Sequence, residues 1–433
     1  MVDYKHSEMT GAELHDPKNH AGTHTDGTDD IQLATSGQKG LMTAAQFTKV
    51  DNFDGSGTYA SGTIFKMCLD TNTTLTCHPS AGADFNGDDA LQQALDWLGD
   101  YDILPGVTVT IQLEDGVYGS GTPLSGIVFS HQNMSSIIIQ GDTTDAITFA
   151  ISAAASAPDT TNDYIYVPAG ASSPSDFAPG GAYEQFVVYV VGSTGNDGPY
   201  HVVGATTSGA DIRLEVDTGA VLDSTKDGTL YLLPSNNCQL VFSGSTNGFT
   251  SCVSDTVIIQ GIFAHGNITS GSYTCFYMAN SGQSIEINHN IMDDWHSGVR
   301  AGYNASCRDT GFDYVQANVA FISGYGFYAF INGQISCRHN ISGGGIIGYY
   351  SADGGVIYAD LSVTARNTYG FMSKRGGSYV FCDNAICQNN TTGCVSDDMA
   401  SLKRTGISLV NNTADYDPAG TPPLQSTTWG AII

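Results

Sequence analysis

Acidic side chains that could do chemistry are concentrated between residues 286 and 313. Two carboxylic acids on either side of a glycosidic bond can act as general acid and base, or as acid and nucleophile. Asp293, Asp294 and Asp309 are the best candidates for these roles, and Glu286 comes next. The segment therefore has the residue types that hydrolysis of a polysaccharide needs.

Aromatic and basic residues of the same segment could hold a sugar chain. Trp295 and Tyr303 could stack on sugar rings, and Arg300 or Arg308 could pair with an acidic sugar. The predicted substrate-binding residues are Trp295, His296, Arg300, Tyr303 and Arg308. If the sugar is a uronic acid, the same patch could run β-elimination instead, with an arginine as base and aspartates holding calcium.

A structural role competes for these positions. Asp293 and Asp294 fall in a turn, where aspartate is common. Several Asn and Asp residues recur at one phase of a repeat, which predicts a hydrogen-bonded ladder between turns of chain; they are Asn290, Asp313, Asn340, Asp360 and Asn384. His289 and His339 recur in the same way, so we expect them to lie on one face.

The repeat itself defines the elements that must position these residues. The segment 285–291 recurs at 335–341, and looser echoes begin at residues 356, 379 and 402. The gap before residue 335 leaves room for one more turn, around residues 307–315. A fixed period of this kind indicates stacked repeats, and short alternating strands between Gly, Asn and Asp favour β-structure. The sequence predicts an all-β fold, a right-handed parallel β-helix whose coils share one core.

Composition divides the chain into segments. A short helix over residues 88–98, capped by Asp88 and ended by Gly99, is predicted to close the first coil. A run of strands with an Asn-Asp-Gly turn predicts a small inserted antiparallel β-domain. The expected segments are a connector at 1–55, the entry to the β-helix at 56–160, the insertion at 161–235, the main β-helix at 236–417 and a C-terminal tail at 418–433.

The net charge of the chain limits which classes of macromolecule it could bind. The formal net charge is −28, with only 15 Lys and Arg residues, which argues against nucleic acid and anionic membranes because both bind basic patches. No apolar run of about 18 residues is present, so no membrane insertion is expected. The first residues lack the apolar core of a signal peptide. The ten cysteines form no CxxC pairs, which favours reduced cysteines packed in the core.

Two stretches resemble a known family. Residues 20–53 read HAGTHTDGTDDIQLATSGQKGLMTAAQFTKVDNF, which resembles the connector near the start of many tailed-phage tail-fibre and tailspike proteins. There a HAxTHxxGxxDxI run precedes a GLMxAAxxTKxD run. The helix and strand spanning residues 88–118 resemble the entry to pectate-lyase-like β-helices and to many tailspikes, where an amphipathic helix caps the first coil.

This resemblance implies a homotrimer that attaches to virion tail or adaptor proteins through its N-terminus. The trimer would recognise and depolymerise a host cell-surface polysaccharide, and would lie in the virion tail after synthesis in the host cytoplasm. Two other classes stay open: a non-enzymatic receptor-binding fibre or adhesin, and a cellular pectate-lyase-like enzyme. The connector argues against the cellular enzyme, because a free enzyme does not need it.

No cofactor is expected apart from a structural metal ion or Ca²⁺. In trimeric phage fibres, histidines stacked on the threefold axis can bind a metal, which makes His20 and His24 metal candidates here. The alternative for both is a polar turn at the surface, since HxxxH alone is a weak ligand signal.

Overall fold

The computed structural model describes residues 67–156, 163–170, 173–177, 186–217, 222, 224, 226–251, 256–268, 271–397 and 400–417. The chain divides into two units, residues 1–66 and 67–433, and all described residues belong to the second. The predicted connector at 1–55, with His20 and His24, and the predicted tail at 418–433 lie outside the described residues.

Three long parallel sheets form the body of the second unit, and the chain visits them in turn. The strands of the first sheet, in spatial order, are Phe85–Asn86, Thr73–His78, Val109–Leu113, Ile137–Gln140, Thr256–Gln260, Ser284–Asn288, Ser306–Asp309, Gln334–Ser336, Val356–Tyr358, Tyr379–Phe381 and Ser401–Lys403. The second sheet comprises Gly116–Tyr118, Cys238–Val241, Phe263–His265, Ile291–Asp293, Val319–Phe321, Ile341–Gly343, Val363–Ala365, Ile386–Gln388 and Ser408–Val410. The third comprises Ile127–Phe129, Phe249–Ser251, Thr274–Met278, Ser297–Gly302, Tyr325–Phe330, Ile347–Ala352, Tyr369–Lys374, Thr392–Asp397 and Ala414–Asp417.

This order of strands confirms the predicted parallel β-helix. Each predicted repeat start lies within one residue of a first-sheet strand, and the further turn predicted around residues 307–315 is the strand Ser306–Asp309. One coil contributes one strand to each sheet, and neighbouring coils pair in parallel register, as in Cys307 opposite Ile335 and Ile335 opposite Ile357.

The core lies inside the coils. Along the first sheet alternate residues point inward, and one column carries buried apolar side chains in successive coils: Ile285, Cys307, Ile335, Ile357, Val380 and Leu402. The nine described cysteines are free, and all but Cys68 are buried. They act as small apolar residues in this core, as predicted.

The first coil is closed by the helix Ala90–Leu98, which buries Ala90, Leu91, Ala94 and Leu98. Gly99 ends it, as predicted, but Asp88 does not cap it. The Asp88 carboxylate instead accepts hydrogen bonds from the backbone N–H groups of Gly119, Gly121 and Thr122, so it fastens the helix entry to the next turn of chain. No described helix is long and apolar enough to cross a membrane.

Asparagine ladders hold the turns between sheets. At the turn from the first to the second sheet, the side-chain oxygens of Asn318 and Asn340 accept from the backbone N–H of the preceding coil's ladder residue, Asn290 and Asn318 respectively. This ladder confirms the predicted roles of Asn290 and Asn340 but not those of Asp313, Asp360 and Asn384, which lie in other columns. A second ladder, not predicted, joins Asn367, Asn390 and Asn412 at the turn from the second to the third sheet.

A seven-stranded antiparallel sheet interrupts the coils. Its strands, in spatial order, are Ala153–Ser156, Asp163–Pro168, Asp211–Asp217, Gly198–Ser208, Phe186–Val191, Thr229–Leu232 and Ile147–Ala150. The insertion therefore begins earlier than the predicted residue 161, because two strands assigned to the entry segment pair with later insertion strands. Short strands look alike in sequence whether they belong to a coil or to an insertion, so only pairing separates them.

The insertion packs on the outer face of the second sheet. That face carries a column of buried apolar side chains, Phe263, Ile291, Val319, Ile341 and Val363. Val187, Tyr189 and Val191 of the insertion cover the column, while the neighbouring side chains Val188 and Val190 point into the insertion's own core. From Phe263 to Val363 the second sheet is therefore buried on both faces, and the first and third sheets keep outer faces that the insertion does not cover.

Candidate active site

The predicted site residues lie close in sequence but are distributed over all three sheets. A coil passes through each sheet once, so a segment of about one coil cannot keep its polar residues on one face. Glu286, Arg308 and Asp309 belong to the first sheet, Asp293 to the second, and Arg300 to the third. Each group has a different environment and a different chemical capacity.

Asp293 lies on the outer face of the second sheet, sealed beneath the insertion. Its Oδ1 is 2.6 Å from Nε2 of His201, an insertion residue, and its Oδ2 is 2.8 Å from Nδ1 of His265 on the preceding coil. Burial alone would raise the pKa of Asp293, but the charges and hydrogen bonds of the two histidines outweigh it and hold the pKa well below its usual range. Because its side chain is fully buried and both oxygens are engaged, Asp293 is a clamp between insertion and coil.

The two residues that follow Asp293 in sequence do not form a site with it either. Asp294 is exposed and lies in the left-handed backbone region, and partial desolvation of its carboxyl followed by repulsion from Asp293 raises its pKa. Trp295 is completely buried in the core, where its Nε1 donates to the carbonyl of Ala264 and its ring packs edge-on against Phe242. The ring of Trp295 therefore offers no face to a sugar.

Arg300, His296 and Tyr303 border an aromatic surface on the third sheet. We call this surface the tyrosine face; it comprises Tyr277, Tyr325, Tyr328, Phe330 and Tyr350. The guanidinium of Arg300 lies 4.6 to 5.7 Å from the ring centroids of Tyr277, Tyr328 and Phe330. The Tyr328 and Tyr350 rings stack 4.8 Å apart along the coil axis. Rings stacked on each other present their edges outward, so this face suits protein contact better than sugar stacking.

The first sheet carries a cavity lined by charged residues. It has a volume of about 480 Å³ and opens where the first sheet turns toward the second. We call it the cleft. Its charged and titratable lining residues are Arg308, Asp309, Arg338, His339, Asp360 and Asp383.

Asp309 is the carboxylic acid of this cleft whose surroundings favour the protonated form. Burial raises its pKa to about 7, against hydrogen bonds from the Gly311 backbone N–H and the Asn318 side chain that lower it. Both bonds reach Oδ1, at 2.8 and 3.2 Å. Oδ2 is buried without a hydrogen-bond partner among the described residues, and the neighbouring Asn340 side chain also lowers the pKa.

Two further carboxylates line the opposite end of the cleft. Asp360 Oδ1 accepts from the backbone N–H of Asp383, and its Oδ2 is 3.8 Å from Arg338. Asp383 Oδ2 lies 3.5 Å from Lys403. One coil lies between the coil of Asp309 and the coil of Asp360. Since neighbouring coils are about 4.8 Å apart, the backbones of these two residues are separated by roughly 10 Å. The cleft thus holds Asp309, an acid with a raised pKa, and two further aspartates on more distant coils.

The sequence prediction included Asp309 and Arg308 but missed Arg338, His339, Asp360 and Asp383 as site residues. They lie on the next three coils but not in the columns of the predicted pair: Ser336 and Tyr358 follow Arg308, and Asp309 pairs with the inward-facing Ile287. The repeat carried a signal for three of them, since Arg338, Asp360 and Asp383 each follow the paired positions Ser336, Tyr358 and Phe381 by two residues. Glu286 lies at the edge of this surface, where its carboxylate is 3.6 Å from Arg308.

Metal binding is not indicated by the described side chains. Within the described ranges, no group of three or more His, Cys, Asp or Glu residues is arranged to hold a metal ion. Burial lowers the pKa of His339 in the cleft, so this imidazole is neutral at neutral pH. Its ring meets that of Tyr314 edge-on, at 5.1 Å.

Fold and site together define a parallel β-helix protein with an acidic cleft on its first sheet. No protein-family model matches the chain, and no curated protein matches it. A solved structure described as a glycoside hydrolase aligns with 78% of this chain and 96% of its own, at 8% identity and a TM-score of 0.27. A complex of XylC with xylose aligns with 78% of this chain and 68% of its own, at 10% identity and a TM-score of 0.29. At such low identity and TM-score, neither structure assigns an activity to this chain.

The Asp293 clamp predicts a pH-dependent contribution to stability. Replacing Asp293 with Asn should lower the free energy of unfolding at pH 7 by about 3 kcal/mol, because it breaks a buried charged network. The folded-state pKa of Asp293 lies below the unfolded value of about 3.9, so its contribution is complete above that value and is lost as the pH falls through the folded pKa. Chemical unfolding at pH 7 and pH 3 should show the difference between wild type and variant shrinking at pH 3.

Asp294→Asn is the matched control for the clamp. Its carboxyl has a raised pKa and is repelled by Asp293, so neutralising it should cost no stability. Equal losses in the two variants would contradict the assignment of the clamp to Asp293.

The Asn318 hydrogen bond predicts a shift in the proton affinity of Asp309. Asn318→Ala should raise the pKa of Asp309 above about 7, because the bond favours the ionised carboxyl. Infrared difference titration, with Asp309→Asn to identify the carboxyl band, measures this pKa. Asn390→Ala removes an equivalent residue from the second ladder at a comparable stability cost of about 1–3 kcal/mol. The assignment fails if Asn318→Ala leaves the pKa unchanged, or if Asn390→Ala shifts it equally.

Proposed function

We propose that the chain is a tailspike-type protein that hydrolyses a polysaccharide in the cleft. The observation that carries the proposal is Asp309, whose pKa burial raises to about 7, in a cleft that two further aspartates also line. A general acid is most effective when its pKa lies near the operating pH. An open cleft on the outer face of a solenoid also suits a long polymer, which can enter and leave sideways.

In the proposed reaction, protonated Asp309 donates its proton to the glycosidic oxygen as the bond to the anomeric carbon breaks. The carboxylate of Asp360 accepts a proton from a water molecule that attacks the anomeric carbon from the opposite side. One water is consumed, and each cleavage produces one new reducing end. Afterwards Asp309 is ionised and Asp360 protonated, and exchange with solvent restores the starting state.

We further propose that cleavage inverts the anomeric configuration, because the backbones of the two acids are two coil steps, roughly 10 Å, apart. Inverting pairs are about 6.5–9.5 Å apart, which leaves room for the water, whereas retaining pairs are only about 5–5.5 Å apart. The intervening coil, with Arg338, separates the backbones of Asp309 and Asp360. Asp383 lies one coil beyond Asp360, where it is placed to hydrogen-bond a sugar hydroxyl.

The phage context of the proposal rests on residues 20–53, whose likeness to the tail-fibre connector supports attachment to a virion tail or adaptor protein and hence a virion location. The polymer would then be a host cell-surface polysaccharide. We also propose that the chain forms a homotrimer. Support comes from the tyrosine face, a set of half-buried aromatic side chains and Arg300 on the third sheet that is typical of protein interfaces.

The cleft assignment predicts loss of cleavage in Asp309→Asn. With purified protein and a panel of bacterial surface polysaccharides, the variant should produce reducing ends about 10²–10⁴-fold more slowly than wild type, while its binding and melting temperature stay unchanged. The wild-type rate should fall as the pH rises through about 7, because Asp309 then loses its proton. Reducing ends should form without the ultraviolet absorbance of unsaturated sugars.

Asp313→Asn is the control, since its side chain caps a short 3₁₀ helix outside the cleft and Asn caps equally well. Equal activity of Asp309→Asn and wild type would refute the assignment of Asp309. Glycan binding by wild type without any product would instead identify a receptor-binding adhesin.

The trimer proposal predicts the mass of three chains by light scattering. Tyr328→Asp places a charge at the centre of the tyrosine face and should weaken assembly, whereas Leu104→Asp, at an exposed apolar position far away in sequence, should not. A monomeric mass for the wild-type protein would reject the trimer.

A further inference from the structure

Two arginines in the cleft have unused hydrogen-bonding capacity. The side chains of Arg308 and Arg338 are 69% and 63% exposed. Their nearest carboxylate oxygens, on Glu286 and Asp360, are 3.6 and 3.8 Å away, which is beyond hydrogen-bonding distance. Both guanidinium groups can therefore turn their N–H donors toward a ligand in the cleft.

Hydroxyl groups complete the surroundings of the two arginines. Ser336 lies directly opposite Arg308 in the paired strands, and Thr310 lines the cleft beside them. The Thr310 hydroxyl accepts a hydrogen bond of 2.7 Å from Asn288, so its own O–H remains available to donate. Two guanidinium groups and two hydroxyls on adjacent coils thus form a group of donors that matches an oxyanion.

Charge is arranged unevenly along the cleft. Arg308 and Arg338 lie at the end that holds Asp309, while Asp360 and Asp383 lie on the following coils. The chain has 43 acidic and only 15 basic residues, so its overall field repels polyanions. A pair of arginines in this cleft would select an anionic group at one defined place rather than attract polyanions in general.

We propose that the cleft takes an acidic polysaccharide whose carboxylate or sulfate group is bound between Arg308 and Arg338. This inference rests on the proposed hydrolysis in the cleft and specifies its substrate class. The anionic sugar lies next to Asp309, and the chain continues over Asp360 and Asp383. Bidentate pairing with a planar guanidinium favours a carboxylate over a neutral hydroxymethyl group at the same carbon.

The test compares acidic and neutral forms of the same polymers. The probes are polygalacturonate, its carboxyl-reduced form, chondroitin sulfate and desulfated chondroitin. Affinity electrophoresis gives binding, and reducing-end assays give cleavage. The wild-type protein should bind at least one acidic polymer, and removal of the recognised group should weaken binding about tenfold or more. Carboxyl reduction and desulfation distinguish the two anions.

The matched variants carry the same change of charge. Arg308→Gln with Arg338→Gln should weaken binding of the acidic polymer about tenfold or more and reduce its salt dependence. Lys374→Gln with Arg375→Gln removes two positive charges from the third sheet, where they pair with Asp397 and Asp353, and should leave binding unchanged. Equal effects of the two double variants, equal binding of neutral and acidic forms, or no binding of any acidic probe would overturn the inference.

Cleavage separates this inference from the proposed function. If neutral polymers are cleaved as fast as acidic ones, hydrolysis stands and the acidic substrate is refuted. If acidic polymers bind through the two arginines but no product forms, the ligand class stands and hydrolysis is refuted.

Discussion

Parallel pairing between successive coils is the constraint on which the rest of this structure depends. A single coil cannot bury its inward side chains or pair its own strand edges, so each coil is stable only against its neighbours. Register is therefore strict: a shift by one residue would move the buried column of Ile335, Ile357 and Val380 to the surface. The asparagine ladders strengthen this register at two of the turns, because each side chain satisfies backbone donors of an adjoining coil.

Strict register also determines where function can lie. The inner columns are committed to the core, and the insertion covers the outer face of the second sheet, held by the Asp293 clamp and by the apolar contacts of Tyr189. Two outer faces remain, and they differ in chemistry. The first sheet has charged residues and the cleft, whereas the third has the tyrosine face. Proposed catalysis and proposed assembly thus use different sheets of one solenoid.

Sequence reasoning succeeded where the signal was periodic. The strand starts near residues 335, 356, 379 and 402 follow from alternation and spacing alone, and so does the helix that closes the first coil. It succeeded less well for the site, because closeness in sequence was taken for closeness in space. Within one coil the chain turns through three faces, so Asp293 and Asp309 do not share a surface.

Burial of individual polar residues was the other property that sequence could not supply. Trp295 reads as a sugar-stacking residue until its position in the core is known, and Asp293 reads as a nucleophile until the insertion is seen to cover it. His201, which holds Asp293, is about ninety residues away in sequence. Asp360 could not have been found by projecting Asp309 through the repeat, because the register places Asp309 in the inward column of Ile287; Arg338 is the cleft residue that shares the phase of Asp360 and Asp383.

The most direct measurement is a crystal structure of the Asp309→Asn variant with an acidic oligosaccharide that the wild-type protein cleaves. The account predicts a sugar chain along the cleft, with a glycosidic oxygen beside residue 309, the anionic group between Arg308 and Arg338, and Asp360 on the opposite side of the anomeric carbon. A sugar bound on the tyrosine face or elsewhere, with the cleft empty, would contradict it.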